Sequence, residues 1–351
     1  MNDGCGDSAA HVATDDEWDA FLQRCFLCHP EQSSPYAANR VEYGYRCDRV
    51  VVREKGGIVG GAQILVWPTP FGNHARIFRG PVVLDDDPRL MREVVRRVDQ
   101  EASAYGYTSV QVDLFPEHKV AHQALQEEGF SPAPDGAQSK ESFRIPLAFS
   151  NEELMSRMNK NVAYSVRRAI RDKITVRAGG DAPLEDFYKM HEATARHQGF
   201  LRFPQEYFTD LWGLLGKRGK VQYFVAYCDD VPLAGIYNVI VGRTMYYNWG
   251  GMRWEPEVKK MRVNYLLHMT AMAWARTHGC TFYDLSGIQP FKKQFAIEKV
   301  FWPRPLLKCY GSLRGLRWKM HELTASGPRM RRMVKKAARL LGGRQEKKMP
   351  W

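Results

Sequence analysis

A phenylalanine and two lysines follow the end of one predicted strand. Residues 281–285 alternate and are rich in β-forming side chains, and the Ser, Gly and Pro within 286–290 end the strand in a turn. Phe291, Lys292 and Lys293 come directly after that turn. A cation held at a tight turn can stabilise negative charge that develops on a carbonyl oxygen. The pattern therefore makes Lys292 the candidate catalytic residue, with Lys293 as the alternative cation.

The same stretch also fits a β-hairpin with a solvated basic tip and no chemistry. Asp284 ends the strand, and it has two interpretations as well. In a catalytic site it would orient a lysine or accept a proton through water, whereas in a hairpin it would be a structural turn carboxylate. The predicted elements around this stretch are needed to distinguish a catalytic site from a structural hairpin.

Hydrophobic periodicity and turn residues predict a mixed α/β chain. Helices with one apolar face are expected at 15–28, 85–105, 118–128, 151–172, 184–197, 204–215 and 263–278. Strands are expected at 50–53, 58–67, 75–83, 107–114, 141–147, 221–228, 232–241, 243–250 and 281–285.

The predicted elements occur twice in the same order, which indicates an internal repeat. Each half runs strand, strand, strand, long helix, strand, and the last strand ends in Asp113-Leu114 in the first half and Asp284-Leu285 in the second. We therefore predict an α/β (α+β) protein of two domains, 1–147 and 148–310, each a mixed sheet flanked by helices. A cleft between or beside them is a usual place for a site. Residues 311–351 are predicted to form a basic helical tail.

Four motifs together resemble the FemABX family, whose members carry two domains of the GNAT acyltransferase type. They are the Gly-Pro-Val strand end at 78–83, a basic helix within 157–177, the Tyr-Asp-x-x-Gly signature at 283–288, and Phe-Lys-x-x-Phe at 291–295. The family transfers an amino acid from aminoacyl-tRNA to the stem peptide of a peptidoglycan precursor. The resemblance implies this activity, with Phe291 and Lys292 at the reaction centre. No long heptad run is present, which is typical of the shorter, FemX-like members.

Two departures from the family pattern fall where an acceptor would be recognised. The loop at 34–40 is only loosely similar to its counterpart, and Arg40 would replace a lysine there. Gln289-Pro290 replaces the usual aliphatic and aromatic residues before Phe-Lys. A small natural-product amine is therefore an alternative acceptor.

An aminoacyl ester is already activated, so the enzyme has only to align the amine and stabilise the oxyanion. Besides Arg40 and Lys293, the residues expected to bind the acceptor are Arg196, Arg202, Tyr207, Tyr246 and Tyr247. The residues expected to follow the tRNA backbone are Arg167, Arg168, Arg171, Lys259, Lys260 and Arg262.

The net charge of +12 is concentrated at the C-terminus, where 304–351 contain 14 Lys or Arg and two acids. Such a tail suits a polyanion, either RNA or an anionic membrane surface, and 328–341 could form an amphipathic helix on a membrane. A solubilising role without a partner is also open. Without a secretory signal or a long apolar run, we expect a cytoplasmic protein with a peripheral membrane contact at most.

No cofactor or metal is expected. Seven cysteines without a signal indicate free thiols, and the Cys25-x-x-Cys28-His29 spacing, which matches haem attachment or half a zinc site, is attributed to chance. Neither half carries a glycine-rich loop before its long helix, which weakens an acyl-CoA-dependent N-acyltransferase. That activity and a non-catalytic RNA- or membrane-binding protein remain the alternatives.

Overall fold

The computed structural model describes residues 13–69, 72–134, 141–200, 202–313 and 316. The chain divides into two compact units. The first unit contains the described residues up to 134 together with those from Pro303 onward, and the second contains 141–302.

The secondary-structure elements are numbered in chain order through both units. The helices are α1 (Asp15–Arg24), α2 (Ser34–Val41), α3 (Pro88–Ala104), α4 (Lys119–Glu127), α5 (Asn151–Arg157), α6 (Lys160–Arg171), α7 (Asp181–Gln198), α8 (Gln205–Leu215), α9 (Pro256–Met261) and α10 (Asn264–Thr277). The strands are β1 (Arg46–Glu54), β2 (Gly57–Thr69), β3 (Gly72–Phe78), β4 (Val82–Val83), β5 (Tyr107–Asp113), β6 (Ser131–Pro132), β7 (Glu141–Pro146), β8 (Thr175–Ala178), β9 (Val221–Cys228), β10 (Val231–Val241), β11 (Thr244–Met252), β12 (Phe282–Asp284), β13 (Glu298–Phe301) and β14 (Leu306–Cys309).

The first unit is built on a sheet of order β1-β2-β3-β5-β14-β6, with β4 paired to β2. Only β3 and β5 run parallel, and α3 connects them after the β4 segment. The Asp87 side chain caps α3 by accepting a hydrogen bond from Arg89 N at 2.7 Å. The buried face of α3 is apolar and carries Leu90, Met91, Val94, Val95, Val98 and Ala102. This face packs into the core that lies on the sheet.

The second unit repeats this plan with a sheet of order β13-β7-β12-β11-β10-β9-β8. Here β11 and β12 run parallel, and α9 and α10 connect them. On the same sheet, Gly251 of β11 lies against the backbone of α7, because an added Cβ would come within 2.2 Å of His191 N. A glycine at this position lets the helix lie directly on the strand. The predicted doubled α/β unit is confirmed.

Two strands belong to the opposite unit from the one that the sequence predicted. The strand β7 was assigned to the first domain, but it lies between β12 and β13 in the second sheet. The strand β14 falls within the predicted second domain, 148–310, yet it pairs with β5 and β6 of the first sheet. The chain thus completes its first sheet after leaving the second, which a division into contiguous segments cannot represent.

The single helix predicted at 151–172 is two helices. The break falls at Met158-Asn159, where the Asn159 side chain accepts a hydrogen bond from Asn161 N at 3.0 Å and begins α6. The sequence also missed α2, α9, β8, β13, β14 and the 3-10 helix Lys292–Phe295. The predicted basic tail lies almost entirely outside the described residues. Across the residues that the structure describes, no helix has the length and apolar character needed to cross a membrane.

Candidate active site

Asp284 holds the turn that follows β12. Its carboxylate is fully buried and accepts hydrogen bonds from Ser142 Oγ, from Arg144 Nε at 3.2 Å and from Ser286 N at 2.8 Å. Ser142 Oγ in turn accepts from Gly287 N at 2.9 Å. Burial raises the pKa of Asp284, although these hydrogen bonds and the Arg144 charge oppose the shift. Because its oxygens are occupied by these donors, Asp284 is suited to position the turn.

The turn that Asp284 holds has a special backbone conformation. Ser286 has φ 52° and Gly287 has φ 140°, and the second value is one that glycine adopts most readily. The carbonyl oxygen of Ser286 points to Lys292, whose Nζ lies 3.5 Å away. The turn therefore links the strand-end carboxylate to the candidate lysine.

Lys292 is buried, with 5% of its side chain surface exposed. Its Nζ lies 5.1 Å from the centroid of the Tyr247 ring and 5.8 Å from that of Phe291. Among the described residues, no carboxylate lies within ion-pair distance of this ammonium. Burial lowers the pKa of Lys292 to about 8, and Asp284 only partly opposes the shift. The alternative of a solvated hairpin tip is therefore wrong for Lys292.

Aromatic rings enclose Lys292. His268 on α10 lies edge-on to Tyr247 at 4.8 Å and to Phe295 at 5.2 Å between ring centroids, and it stacks on Phe291 at 6.0 Å. Phe291 itself is partly exposed, at 37%, so the enclosure has an open side. A desolvated cation behind an accessible aromatic residue can interact strongly with a charge that develops on a bound substrate.

The residues predicted to bind the acceptor are dispersed. Tyr247 lies beside Lys292. Lys293, the next residue after Lys292, has an exposed side chain. Tyr246, on the opposite face of β11, is buried and accepts a hydrogen bond from Arg144 at 3.1 Å. The other three lie around α7 and α8: Arg196 and Arg202 both pair with Glu192, and Tyr207 packs in an aromatic cluster with Phe203 and Trp249.

The residues predicted to bind tRNA lie on two helices that contact each other. Arg167, Arg168 and Arg171 on α6 line a groove of about 470 Å³, together with Lys160 and the exposed Tyr164. The helix α9 contacts α6 and presents exposed Lys259 and Lys260, with Arg262 at its C-terminal end. Asp172 is the acid that pairs with this set, at 3.3 Å from Arg168. Exposed Glu255 and Glu257 lie at the start of α9, and the two contacting helices form a cationic surface in which basic residues outnumber acids.

Arg40 belongs to a cluster of charged groups in the first unit. It donates a hydrogen bond to Tyr36 Oη at 2.9 Å. Burial raises the pKa of Glu31, although the charges of Arg79 and Arg40 oppose the shift. The Arg79 guanidinium lies 3.4 Å from Glu31. The cluster also contains Arg76, which pairs with Asp113. Three arginines against two acids leave an excess of positive charge.

Sequence reasoning missed several residues that shape these two regions. Ser142 and Arg144 come from β7, which the sequence placed in the wrong domain, so their contact with Asp284 could not be anticipated. His268 lies on the buried face of α10, where periodicity reads it as a core residue. Arg79 stands next to the recognised Gly-Pro-Val motif, and this was the one local signal for the arginine cluster.

The comparisons with known proteins agree with this architecture. Residues 156–293 match the model of the acetyltransferase (GNAT) domain family. The lipid II:glycine glycyltransferase of Staphylococcus aureus is 23% identical over 358 aligned positions, which cover 78% of this chain and 83% of that protein. The crystal structure of FemX has a TM-score of 0.68 at 18% identity and covers 89% of this chain and 99% of its own.

A second solved structure extends the fold comparison. The C-terminal domain of a putative lysylphosphatidylglycerol synthetase from Agrobacterium fabrum has a TM-score of 0.58 at 15% identity, covering 90% of this chain and 99% of that domain. At this level of identity the likeness concerns the fold.

The fold and the sequence matches define a transferase built from GNAT-type units. The resemblance to the FemABX family, and to FemX within it, is confirmed in sequence and in fold.

Proposed function

We propose that the protein transfers an amino acid from aminoacyl-tRNA to an amine of a peptidoglycan precursor. The single observation that carries this proposal is Lys292, a buried cation without a carboxylate partner among the described residues, in an aromatic enclosure with one accessible ring. The name of the Staphylococcus aureus relative, a lipid II:glycine glycyltransferase, supports this class of acceptor.

The reaction needs no nucleophile from the protein. The acceptor amine attacks the ester carbonyl and forms the new C–N bond, and the carbonyl oxygen becomes an oxyanion that the Lys292 ammonium stabilises. The C–O bond to the terminal ribose then breaks, and the ribose oxygen takes up the proton that the amine releases and leaves as a hydroxyl. Phe291 packs against the acceptor or the terminal adenine.

Asp284 acts as a positioning residue in this scheme. It fixes the backbone of Ser286, whose carbonyl oxygen is the acceptor nearest to Lys292 Nζ. The Ser286 hydroxyl is buried and has no hydrogen-bond partner among the described residues, so it is available to a bound substrate.

The donor tRNA is bound by the cationic surface of α6 and α9. Positive side chains along a groove suit a phosphate backbone, and an exposed tyrosine among them can stack on a base. The six predicted residues contribute to this surface: Arg167, Arg168, Arg171, Lys259, Lys260 and Arg262.

The arginine cluster of the first unit binds an anionic group of the acceptor, with Arg40 as one of its donors. Guanidinium groups pair well with phosphate and carboxylate oxygens. A small natural-product amine is the second candidate acceptor, and the altered residues at 34–40 and Gln289-Pro290 favour it.

An acyl-CoA-dependent N-acyltransferase is the competing activity. The match of 156–293 to the acetyltransferase domain family favours it. An acyl-CoA enzyme would bind the pyrophosphate with the backbone N–H groups of a glycine-rich loop before the long helix. Residues 253–263, which precede α10, contain no glycine, and α9 within them ends in cations. This segment therefore lacks such a glycine-rich loop.

The test is transfer from a pool of labelled aminoacyl-tRNAs to lipid II, to a nucleotide-linked precursor and to a panel of small amines, read by mass spectrometry. We expect a new amide on one precursor, lost on ribonuclease treatment. Transfer from acetyl-CoA that ribonuclease leaves intact would establish the competing activity. Absence of transfer from any charged tRNA to any acceptor would refute the proposal.

A further inference from the structure

His268 is a buried titratable side chain close to Lys292 that the proposed reaction does not use. It is 1% exposed and shares the aromatic enclosure of Lys292, where both groups contact the Tyr247 ring. The Lys292 charge acts on it directly, because this ammonium disfavours protonation of the imidazole. The tautomer of His268 determines which of its ring nitrogens can accept a hydrogen bond inside this enclosure.

A chain of hydrogen bonds determines the tautomer of His268. It begins at the backbone carbonyl of Gln222, which can only accept and which lies 3.2 Å from Asn238 Nδ2. The amide orientation of Asn238 is therefore fixed, and its Oδ1 accepts from the Tyr283 hydroxyl at 3.1 Å. The Tyr283 oxygen, having donated its proton, accepts from His268 Nδ1 at 2.8 Å. The proton consequently resides on Nδ1.

With the proton on Nδ1, the other nitrogen of His268 has a lone pair to offer. Nε2 makes no hydrogen bond to any residue that the structure describes. Burial is the main cause that lowers the pKa of His268, to about 3, so the ring remains neutral at physiological pH. A neutral acceptor is thus maintained inside the enclosure.

Lys292 has more hydrogen-bond donors than acceptors around it. Its ammonium carries three donors, and the acceptor it contacts is the Ser286 carbonyl oxygen at 3.5 Å, the outer limit of a hydrogen bond. A buried ammonium gains from every further acceptor within reach, because burial has removed its water.

We propose that His268 is a positioning residue. When the Lys292 side chain turns from the Ser286 carbonyl oxygen, Nε2 of His268 accepts a hydrogen bond from its ammonium and thereby directs another of its N–H groups to the reacting carbonyl oxygen. This inference rests on the proposed role of Lys292. The Gln222–Asn238–Tyr283 chain extends the positioning effect to the centre of the second sheet, since it holds the imidazole in one tautomer.

The first test does not depend on activity. Nitrogen-15 NMR of the full-length chain, with the His268 signals assigned by their loss in His268→Gln, reports the protonation of each ring nitrogen. We expect Nδ1 to be protonated and Nε2 to be unprotonated from pH 5 to 9, and Tyr283→Phe to release this preference. A proton on Nε2, or titration of His268 near pH 6.5, would overturn the proposal.

The second test measures the pKa of Lys292 by NMR in the wild type, His268→Gln and His268→Leu. Glutamine retains an acceptor, whereas leucine has none. We expect leucine to lower the pKa of Lys292 by about one pH unit or more, as loss of one hydrogen bond to a buried charge would, and glutamine to restore part of it. Equal values in all three proteins would contradict the proposed hydrogen bond.

The third test is kinetic, with His278→Gln at the exposed end of the same helix as the matched control. We expect His268→Leu to lower kcat by roughly 10-fold with little change in KM for either substrate. A change confined to KM would refute a positioning role. If the wild type transfers nothing, the proposed function fails, while the two NMR tests still decide whether His268 and Lys292 share a hydrogen bond.

Discussion

The two units end corresponding strands in a buried aspartate, and they use it differently. Asp113 ends β5 and Asp284 ends β12, each on a strand that runs parallel to its neighbour, and each is followed by leucine. Asp113 pairs with Arg76, and Asp284 pairs with Arg144. The pattern Asp-Leu at the strand end is therefore a shared structural device of the repeated fold.

The electrostatic balance at the two carboxylates is opposite. Burial alone would raise the pKa of Asp113, but the charges of Arg76 and Arg79 outweigh it and lower the value. At Asp284 burial prevails over the single Arg144 and the two hydrogen bonds from Ser142 and Ser286, so its pKa is raised. The first carboxylate mainly balances cations, and the second mainly holds a turn.

The cations of the two units therefore differ in their partners. Arg76 and Arg79 of the first unit pair with Asp113 and Glu31. Lys292, presented by the turn that Asp284 holds, has no acid within ion-pair distance among the described residues, and its charge is available for chemistry.

The largest expected effect is on the free energy of unfolding when each of the two buried aspartates is neutralised. Asp113→Asn should lower the free energy of unfolding by roughly 3–5 kcal/mol, because it removes the buried carboxylate that pairs with the half-buried Arg76 and offsets the charge of Arg79. Asp284→Asn should cost less, about 1–2 kcal/mol, because burial raises the pKa of Asp284 and so already opposes its charged form. Urea unfolding of both variants measures the difference. Equal losses would show that the two sites are electrostatically alike.

The second prediction concerns the lysine. Lys292→Met should lower turnover roughly 10²-fold or more, as loss of an oxyanion contact does. Lys217→Met, at an exposed lysine of the same unit, is the control and should leave turnover unchanged. Lys293→Met should have a small effect, because that side chain is exposed. Steady-state transfer rates of the three variants test this order, and a larger effect at Lys293 would reassign the catalytic cation.

The pH dependence of stability tests whether Lys292 is a buried cation whose pKa is lowered. The pKa of Lys292 is about 8 in the folded protein and 10.5 is its ordinary value, so between these values the unfolded chain binds more protons. Stability from this group should therefore rise as the pH increases from about 8 to 10.5, by about 3 kcal/mol, and Lys292→Met should abolish the rise. Denaturation of both proteins across this range provides the measurement. Turnover should fall above pH 8, where the ammonium is lost.

The smallest expected effect compares two surface grooves. The α6 groove of about 470 Å³ is lined by cations, whereas one of about 530 Å³ in the first unit alternates arginines with Glu54, Glu93, Glu127 and Glu128. Changing Arg167 and Arg171 to Gln should weaken tRNA binding and reduce the slope of log affinity against log salt by about 1.5. The same change at Arg92 and Arg96 is the matched control and should leave the slope intact. Equal slopes in both double variants would exclude the α6 groove from RNA binding.

The local elements and the repeat could be predicted from the sequence. Most helices and strands lie within a few residues of their predicted bounds, because apolar periodicity, caps and turn residues act over short distances. The sequence also identified Lys292 and placed the tRNA-binding candidates on segments that prove to be neighbours, α6 and α9.

Only the tertiary structure decided which sheet each strand joins and which side chains meet. β7 and β14 look like any other strands locally, yet their partners lie more than a hundred residues away. Those long-range pairings bury Lys292 and form the hydrogen-bond chain to His268. They also leave Lys292 without a carboxylate partner among the described residues. The residue type supplies a charge, but its environment, which determines its pKa and direction, is set by the fold.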